Sequence, residues 1–297
     1  MINLISFADA CKIEIIRNAS VENIGLLLDR RKAVLAPFYD GRYLHELERN
    51  KGISMVLTTP SLLTLVPEDR GVATCADPMN SIYTLHGRLL EVGYYGPSVA
   101  NEISRDVRIH PTACIAERDV RIGAGSVIGP RAVIEERSII GENCVIGAGT
   151  ILGAEGFEVR RVGNRQFVVP HGGGVWIGSN VTIQSNVVVD RALFGGFTEI
   201  GDDTVVDNLV QVAHGVSIGR RCRIVACAAV GGSSIIGNDV WIGPNAIISS
   251  AIRIGDGARV SLGSVVIRDV PPGGRVSGNF AIDHERFMKL FKDSQRE

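Results

Sequence analysis

From Val206 to Val266 an aliphatic side chain returns at every sixth position: Val206, Val212, Ile218, Ile224, Val230, Ile236, Ile242, Ile248, Ile254, Val260 and Val266. An earlier run keeps the same period through Ile122, Ile128, Ile134, Ile140, Ile146 and Leu152, and a shorter one through Ile177, Ile183 and Val189. A period of six matches neither the turn of an amphipathic helix nor the alternation of a single strand. It predicts hexapeptide repeats, in which short strands and tight turns wind into a parallel β-helix. Each hexad makes one flat side of a coil, and its sixth residue points inward. Full burial of one Val or Ile is worth about 1.5–3 kcal/mol, so a few inward residues hold each coil. Gly often follows the inward residue, as in Ile122-Gly123, Ile218-Gly219 and Ile242-Gly243. Gly and Asn tolerate the positive φ that tight corners need. An ordinary β-sandwich does not keep so strict a period, because its strands vary in length.

The hexad divides the chain. Residues 1–100 lack it and alternate helix-like segments, around Val21–Arg31 and Gly41–Lys51, with β runs at Ile53–Thr58 and Arg88–Val92. They are expected to form a small α/β domain, followed by a linker over Gly93–Asp106 with Gly93, Gly96 and Pro97. Residues 101–272 form the solenoid, with coils from about Val107 to Val270. Pro271-Pro272 is expected to end the ladder, since proline donates no hydrogen bond to it. Residues 273–297 form a tail whose Phe287, Leu290 and Phe291 have helical spacing, expected as one short helix that caps the last coil or packs on a neighbour.

Composition narrows the function. At 297 residues the chain can hold a large core and two domains. A formal charge of −1 argues against a protein built around nucleic acid. No apolar run approaches the roughly 20 residues that span a bilayer. The start, MINLISFADACKIEII, lacks a basic region before its apolar stretch and does not read as a signal peptide. The six cysteines form no CxxC and mostly sit inside repeat units as small buried thiols, which implies a reducing, cytoplasmic setting.

Two places break the period. Residues 153–176, GAEGFEVRRVGNRQFVVPHGGGVW, form an insertion, and a smaller slip falls around Gly195–Ile200. Insertions in solenoids become loops, and loops on a rigid scaffold often carry binding. This insertion holds Arg160, Arg161, Phe167 and His171. Five further histidines are His45, His86, His110, His214 and His284. His214 follows inward Val212 by two residues, which places it near a coil corner on the outer surface. Asp207, Asn208 and Gln211 precede it. An imidazole with a nearby carboxylate suits general-base work on an amine or hydroxyl near neutral pH. By itself, a lone surface histidine of a solenoid is more often structural or idle than catalytic. No HxH, HExxH or cysteine pair at ligand spacing is present, nor a GxSxG or a P-loop, so no metal or cofactor is expected.

The stretch VVVDRALFGGFTEIGDDTVVDNLVQVAHGVSIG, with the coils through Gly263, resembles the UDP-3-O-acylglucosamine N-acyltransferase family of hexapeptide acyltransferases. The Asp190-Arg191 pair and the DNxxQxAH string from Asp207 to His214 carry the resemblance. It implies a mainly β chain: a left-handed parallel β-helix behind a small nucleotide-binding α/β domain, with a short C-terminal helix. Three hexads to a coil, counting Ile109 and Ile115, then give roughly seven coils, a prism roughly 34 Å tall at about 4.8 Å per stacked strand. The resemblance further implies lipid A synthesis, with a 3-hydroxyacyl chain passing from acyl carrier protein to the amine of a UDP-linked glucosamine. His214 is then the general base. Gly232, eighteen residues on, supplies the backbone N–H for the oxyanion. Asp207, with Asn208 and Gln211, binds the sugar. A homotrimer with active sites between prisms is implied as well, and the flat hexad faces suit it.

This sequence departs from the family at three places. A Phe-x-x-Asn-Pro-x-Tyr string that clasps uridine there reads Pro37-Phe38-Tyr39-Asp40-Gly41-Arg42-Tyr43 here. Tyr43 survives, with Phe38 or Tyr39 as the stacking ring and Asp40 beside them. A histidine of a later coil is replaced by Ala251, and the tail is shorter. Two other readings remain open. One is an acyl-CoA-dependent N-acyltransferase acting on an amino sugar for O-antigen or capsule. The other is a non-catalytic solenoid that binds partners or sugar nucleotides.

Overall fold

The computed structural model describes residues 1–96, 99–162, 164–278 and 281–294, with the side chains of Val162 and Phe291 left aside. Pro97 of the expected linker, the Phe291 side chain and residues 295–297 lie outside what is described.

The small domain is a five-stranded sheet in the order Glu14–Arg17, Gly71–Thr74, Ile53–Thr58, Val34–Phe38, Asn23–Ile24. The first pair is antiparallel and the rest are parallel. Every residue of Val34–Phe38 is buried, the continuous apolar run expected of a parallel strand covered on both faces. The helix Pro78–Glu91 closes one side. Asp77 caps it by accepting from Asn80 N at 3.0 Å, and Ile82, Leu85, His86 and Leu89 form its inner stripe. Two local expectations are corrected. Arg88–Val92 is not a strand but runs through the end of that helix, because Leu85 and Leu89 share its buried face. Val21–Arg31 is not helical. Asn23–Ile24 pairs with Val34–Leu35, and the turn after it winds around Arg31, which bonds Asp29, Asn23 Oδ1 and Ile24 O. The helical segment expected in Gly41–Lys51 is present as Leu44–Arg49.

The solenoid is a left-handed parallel β-helix of three flat sheets. They hold nine, eight and eight strands, more than the seven coils expected. The added strands are Glu102–Ile103 and Arg275–Val276 at the ends and Phe197–Ile200 at the expected slip, where it pairs with Gly174–Ile177 and Ser217–Ile218. The ladder therefore runs on past Pro271-Pro272. These prolines occupy a corner, where no ladder N–H is needed, and Arg275–Val276 then pairs with Arg259–Val260. Strands stack in register one coil apart: Val206 on Ile224, Val212 on Val230, Ile218 on Ile236. All of the inward residues from Ile122 to Val266 are buried in one continuous core. Ile109 and Ile115 keep the inward register, but Ile109 stays exposed and Ile115 is half-buried because their strands end two of the sheets.

Glycine serves the coils differently from the expectation. Gly219 and Gly243, after their inward residues, do not have positive φ. A Cβ on Gly219 would lie 2.6 Å from Gly237 O of the next coil, so what requires glycine is close stacking. The positive φ values fall elsewhere in the corners, on other glycines such as Gly125, Gly149 and Gly215 and on Asn143, Asn186 and Asn245, as expected of these two residue types.

The insertion is a hairpin, Val159–Val162 against Arg165–Val168, folded back onto the small domain. Tyr83 donates to Glu158 at 2.8 Å, and the Arg160 guanidinium lies 3.8 Å over the Tyr83 ring. His86 is fully buried here. Its Nε2 donates to Pro170 O at 2.8 Å and its Nδ1 accepts from Tyr95 at 2.6 Å. Val169 of the insertion and Leu193 and Phe194 of the solenoid join the core of the small domain, so one apolar cluster spans both parts. The tail helix His284–Ser294 leaves Phe287 and Leu290 exposed. All cysteines are free, Cys114 and Cys227 exposed and the others buried. Among the described residues no helix is long and apolar enough to cross a membrane.

Candidate active site

The strand Gln211–Val212 ends in a corner formed by His214 and Gly215. Gly215 takes the left-handed conformation (φ 67°) and donates to Thr198 Oγ1 at 2.9 Å. His214 O accepts from Ser233 N of the next coil at 2.9 Å. That coil carries Gly232 directly over the imidazole: a Cβ on Gly232 would lie 2.9 Å from both Cε1 and Nε2 of His214. Among the described residues the Gly232 N–H donates to no backbone or side-chain acceptor. Behind the ring stand Gly156 and His171 of the insertion. A Cβ on Gly156 would lie 2.6 Å from His171 Nε2 and 3.0 Å from His214 Cδ2. The two imidazoles meet edge to face with centroids 5.4 Å apart. Burial pushes His214 below the ordinary imidazole value, and His171 pushes it the same way, against an opposing pull from Glu158. The ring is therefore neutral near pH 7, the form a base needs.

Asp207, expected beside His214, belongs to the preceding corner. One Asp207 oxygen accepts from Asn208 N at 2.7 Å and Nδ2 at 2.8 Å, the other from Ala226 N at 3.1 Å. Asn208 is itself bonded to Gln184 and Ser185. Gln211, on the strand between the corners, donates to Asp190 at 3.0 Å. Burial lifts Asp190 to about 6, against the lowering effect of that bond. The run from Asp207 to His214 crosses one whole face of the prism, so sequence proximity does not bring the two together. The neighbour of His214 is His171, which has its own carboxylate in Glu155 at 3.0 Å. Arg191 is a brace, donating to Gly153 O and Glu136 O at 2.9 Å each.

His214 opens onto a cleft of about 360 Å³ between solenoid and small domain, lined by Leu26, Arg30, Phe194, Glu199 and Ser217. Arg30 reaches across its mouth, bonding the Ser217 hydroxyl and pairing with Glu199 at 3.2 Å. A second hollow of about 270 Å³ shares Leu26, Leu28 and Ser233 with the first and continues to Tyr39, Tyr43 and Ala251. The rings of Tyr39 and Tyr43 are 6.0 Å apart at 58° and are 49% and 40% exposed. Phe38 has no exposed surface and is part of the core, so Tyr39 is the ring available beside Tyr43. Asp40 is engaged locally. It accepts from Arg42 N at 2.9 Å and pairs with the Arg42 guanidinium at 2.6 Å, which holds its carboxyl below the usual range. Glu46 and Arg253, paired at 2.9 Å, tie this end of the small domain to the solenoid. Arg30, Glu155 and Phe194 were not legible as site residues, because each reaches the site from a segment with no periodic signal. Among the described residues no group of three or more His, Cys, Asp or Glu could hold a metal ion.

The coils define a hexapeptide-repeat β-helix, with the cleft at its junction with the small domain. Residues 119–154, 197–232 and 233–268 match the family model described as bacterial transferase hexapeptide (six repeats). The sequence is similar to proteins named UDP-3-O-acylglucosamine N-acyltransferase. The one from Methylobacterium nodulans is 42% identical over 110 residues, 37% of this chain and 31% of that protein. The one from Caulobacter sp. (strain K31) is 36% identical over 121 residues, 41% and 35% of the two chains. The one from Janthinobacterium sp. (strain Marseille) is 31% identical over 165 residues, 56% and 47% of the two chains. These matches thus span from about a third to about a half of the relatives' length. A solved UDP-N-acetylglucosamine acyltransferase from Campylobacter jejuni shares the fold, with a TM-score of 0.51 at 21% identity over 64% of this chain and 80% of that one.

Proposed function

We propose that this chain is an N-acyltransferase that moves an acyl group, of 3-hydroxyacyl type, from acyl carrier protein to the amine of a UDP-linked glucosamine in lipid A synthesis. The observation that carries the reading is a half-buried, neutral imidazole set against a glycine whose N–H has no described protein partner, at one end of a cleft that leads to two exposed tyrosine rings. The name shared by the relatives supplies the substrate class.

In the reaction, the amine nitrogen attacks the thioester carbonyl carbon while His214 accepts the amine proton. The new C–N bond forms as the carbonyl oxygen gains negative charge, and the Gly232 N–H donates to that oxygen. Loss of one such donor in other enzymes costs about 2.7–4 kcal/mol of transition-state stabilisation. Collapse breaks the C–S bond, and the imidazolium returns its proton to the thiolate. Aminolysis of a thioester requires only this proton transfer, so no resident cofactor is invoked. Tyr39 and Tyr43 stack on the nucleotide base, with Asp40 orienting the turn that carries Tyr43.

The chain works as a homotrimer. One sheet turns Val133, Ile151, Val188, Ala229 and Ile247 outward, an apolar face suited to a second copy. Asp207, Asn208 and Gln211 lie along the start of that face, and from there they serve the sugar in the adjoining subunit's cleft. Incubation with UDP-linked amino sugars and a panel of acyl carrier protein and CoA thioesters, read by product mass, tests the reading. An acylated sugar nucleotide formed from the carrier-protein donor is expected. Preference for acyl-CoA would correct the donor, and no product from any pair would overturn the function.

A further inference from the structure

We infer that His171, held by Glu155, is a positioning residue that fixes the His214 ring against Gly232. The inference rests on the proposed role of His214 as base. His171 is anchored on one edge: Nδ1 lies 2.9 Å from Val169 O and 3.0 Å from Glu155 Oε2, and Glu155 Oε2 also accepts the His171 N–H at 3.0 Å. Two acceptors at Nδ1 place the proton there, which leaves Nε2 as a bare lone pair. That Nε2 is buried without a partner, and the side chain has no exposed surface. Keeping an unpaired polar atom inside a fold is unfavourable, and such an atom behind a candidate base needs a reason.

The reason is geometric. Among the described residues no side-chain hydrogen bond reaches the His214 ring, so packing alone decides where it points. Gly232 limits it on one side. On the other, Gly156 and the edge of His171 complete the slot, and both come from the insertion. Aliphatic packing would fill the same space, but an imidazole tied to a carboxylate holds its plane in a set orientation. The charged and titratable groups around the pair are Glu155 and Glu158 from the insertion and His86 from the helix Pro78–Glu91. Burial keeps His171 itself below the ordinary imidazole value, so at neutral pH it adds no positive charge that would oppose protonation of His214 during the reaction. The insertion between coils thereby acquires a function beyond covering the solenoid.

The test uses the full chain with isotopically labelled histidine and follows the His214 Cε1–H signal with pH in the wild type and in His171→Gln, His171→Ala and Glu155→Gln. In the wild type His214 titrates below the ordinary imidazole value. In His171→Gln and His171→Ala, His214 titrates in a single step at higher pH. Glu155→Gln leaves His171 in place and lowers the pH at which it titrates. In the acyl-transfer assay, His171→Ala loses about 10²-fold in kcat, the scale of a slight misplacement of a reacting group, with KM changed less than about twofold, and the acidic limb of kcat/KM moves with the His214 titration. A folded His171→Ala or His171→Gln protein with unchanged His214 titration and unchanged kcat would overturn the inference. Should His171→Ala not fold, the titrations of His171→Gln and Glu155→Gln decide the matter. The titrations need no substrate, so an inactive wild type whose His214 titration still responds to the loss of His171 would count against the proposed reaction and not against this pairing.

Discussion

Gly232 stands one coil beyond His214 with no room for a methyl group between its α-carbon and the imidazole, since a Cβ there would approach Cε1 and Nε2 to 2.9 Å. Base and backbone donor are therefore set against each other by stacking alone. Gly232→Ala is expected to displace the His214 ring and to lower kcat by about 10²-fold, the scale expected when a reacting group is slightly misplaced. Gly232 does not have positive φ, so the backbone itself tolerates alanine. The melting temperature should change little, and a variant with wild-type turnover would show that the ring has slack the geometry denies.

His214→Ala is expected to lower kcat by about 10²–10⁴-fold, the usual contribution of acid–base catalysis. The ring is half-buried at a corner and not part of the inner columns, so the fold should survive its truncation. Burial and His171 hold the imidazole below its ordinary value, so the acidic limb of kcat/KM should lie below that of a free histidine. Activity is full above this limb and falls as pH drops through it. The limb should vanish in the variant, and a limb that persists would assign the titration to another group.

Tyr43→Ala and Tyr39→Ala should raise KM for the nucleotide sugar more than they lower kcat, the signature of lost uniform binding. Phe38→Ala is the contrasting case. Its side chain fills the core, so it should lose about 3–5 kcal/mol of stability through the cavity it leaves. Kinetics paired with urea unfolding separates the two effects.

Acid should loosen the junction between the two parts. Burial holds His86 and His171 below the ordinary imidazole value, so at mildly acidic pH the unfolded chain binds protons that the folded chain does not. Stability is full above the ordinary imidazole value and falls as pH drops below it towards the folded values. Asp190, raised to about 6, acts the other way: its contribution is present at low pH and is lost as pH rises through about 6. His86→Gln should make the loss between pH 7 and pH 5 shallower in urea midpoints. An unchanged slope would remove His86 from the effect.

Sedimentation equilibrium should give a trimer at micromolar concentration. Ile247→Glu, in the outward apolar face, should shift it to monomer and abolish activity. A monomeric wild type that is fully active would rule out a shared site.

Much of this was legible in the hexad. A sixth-position aliphatic is a local rule repeated, and stacking neighbours makes it a global one, so the coils, their register and the burial of Val206 through Val266 follow from the sequence with little ambiguity. The same regularity placed His214 at a corner; Gly232 came from the family resemblance, which also supplied the three hexads to a coil that make eighteen residues a translation along the prism. The small domain was less legible. Gly41–Lys51 and Ile53–Thr58 read correctly, but Val21–Arg31 looked helical until pairing with Val34–Leu35 and the bonds of Arg31 claimed it.

Period and spacing fixed where each residue stands along the coil. Only the tertiary structure decided what faces it across the coil: that Asp207 and His214, seven residues apart, sit at different corners, and that His171 and Arg30 come to His214 from the insertion and the small domain. The physical reason is that a repeat encodes neighbours at a constant offset. Contacts between an aperiodic segment and the solenoid have no such offset. They arise from the apolar cluster in which Val169, Leu193 and Phe194 join the small domain's core, and that packing draws the rest of the cleft into place.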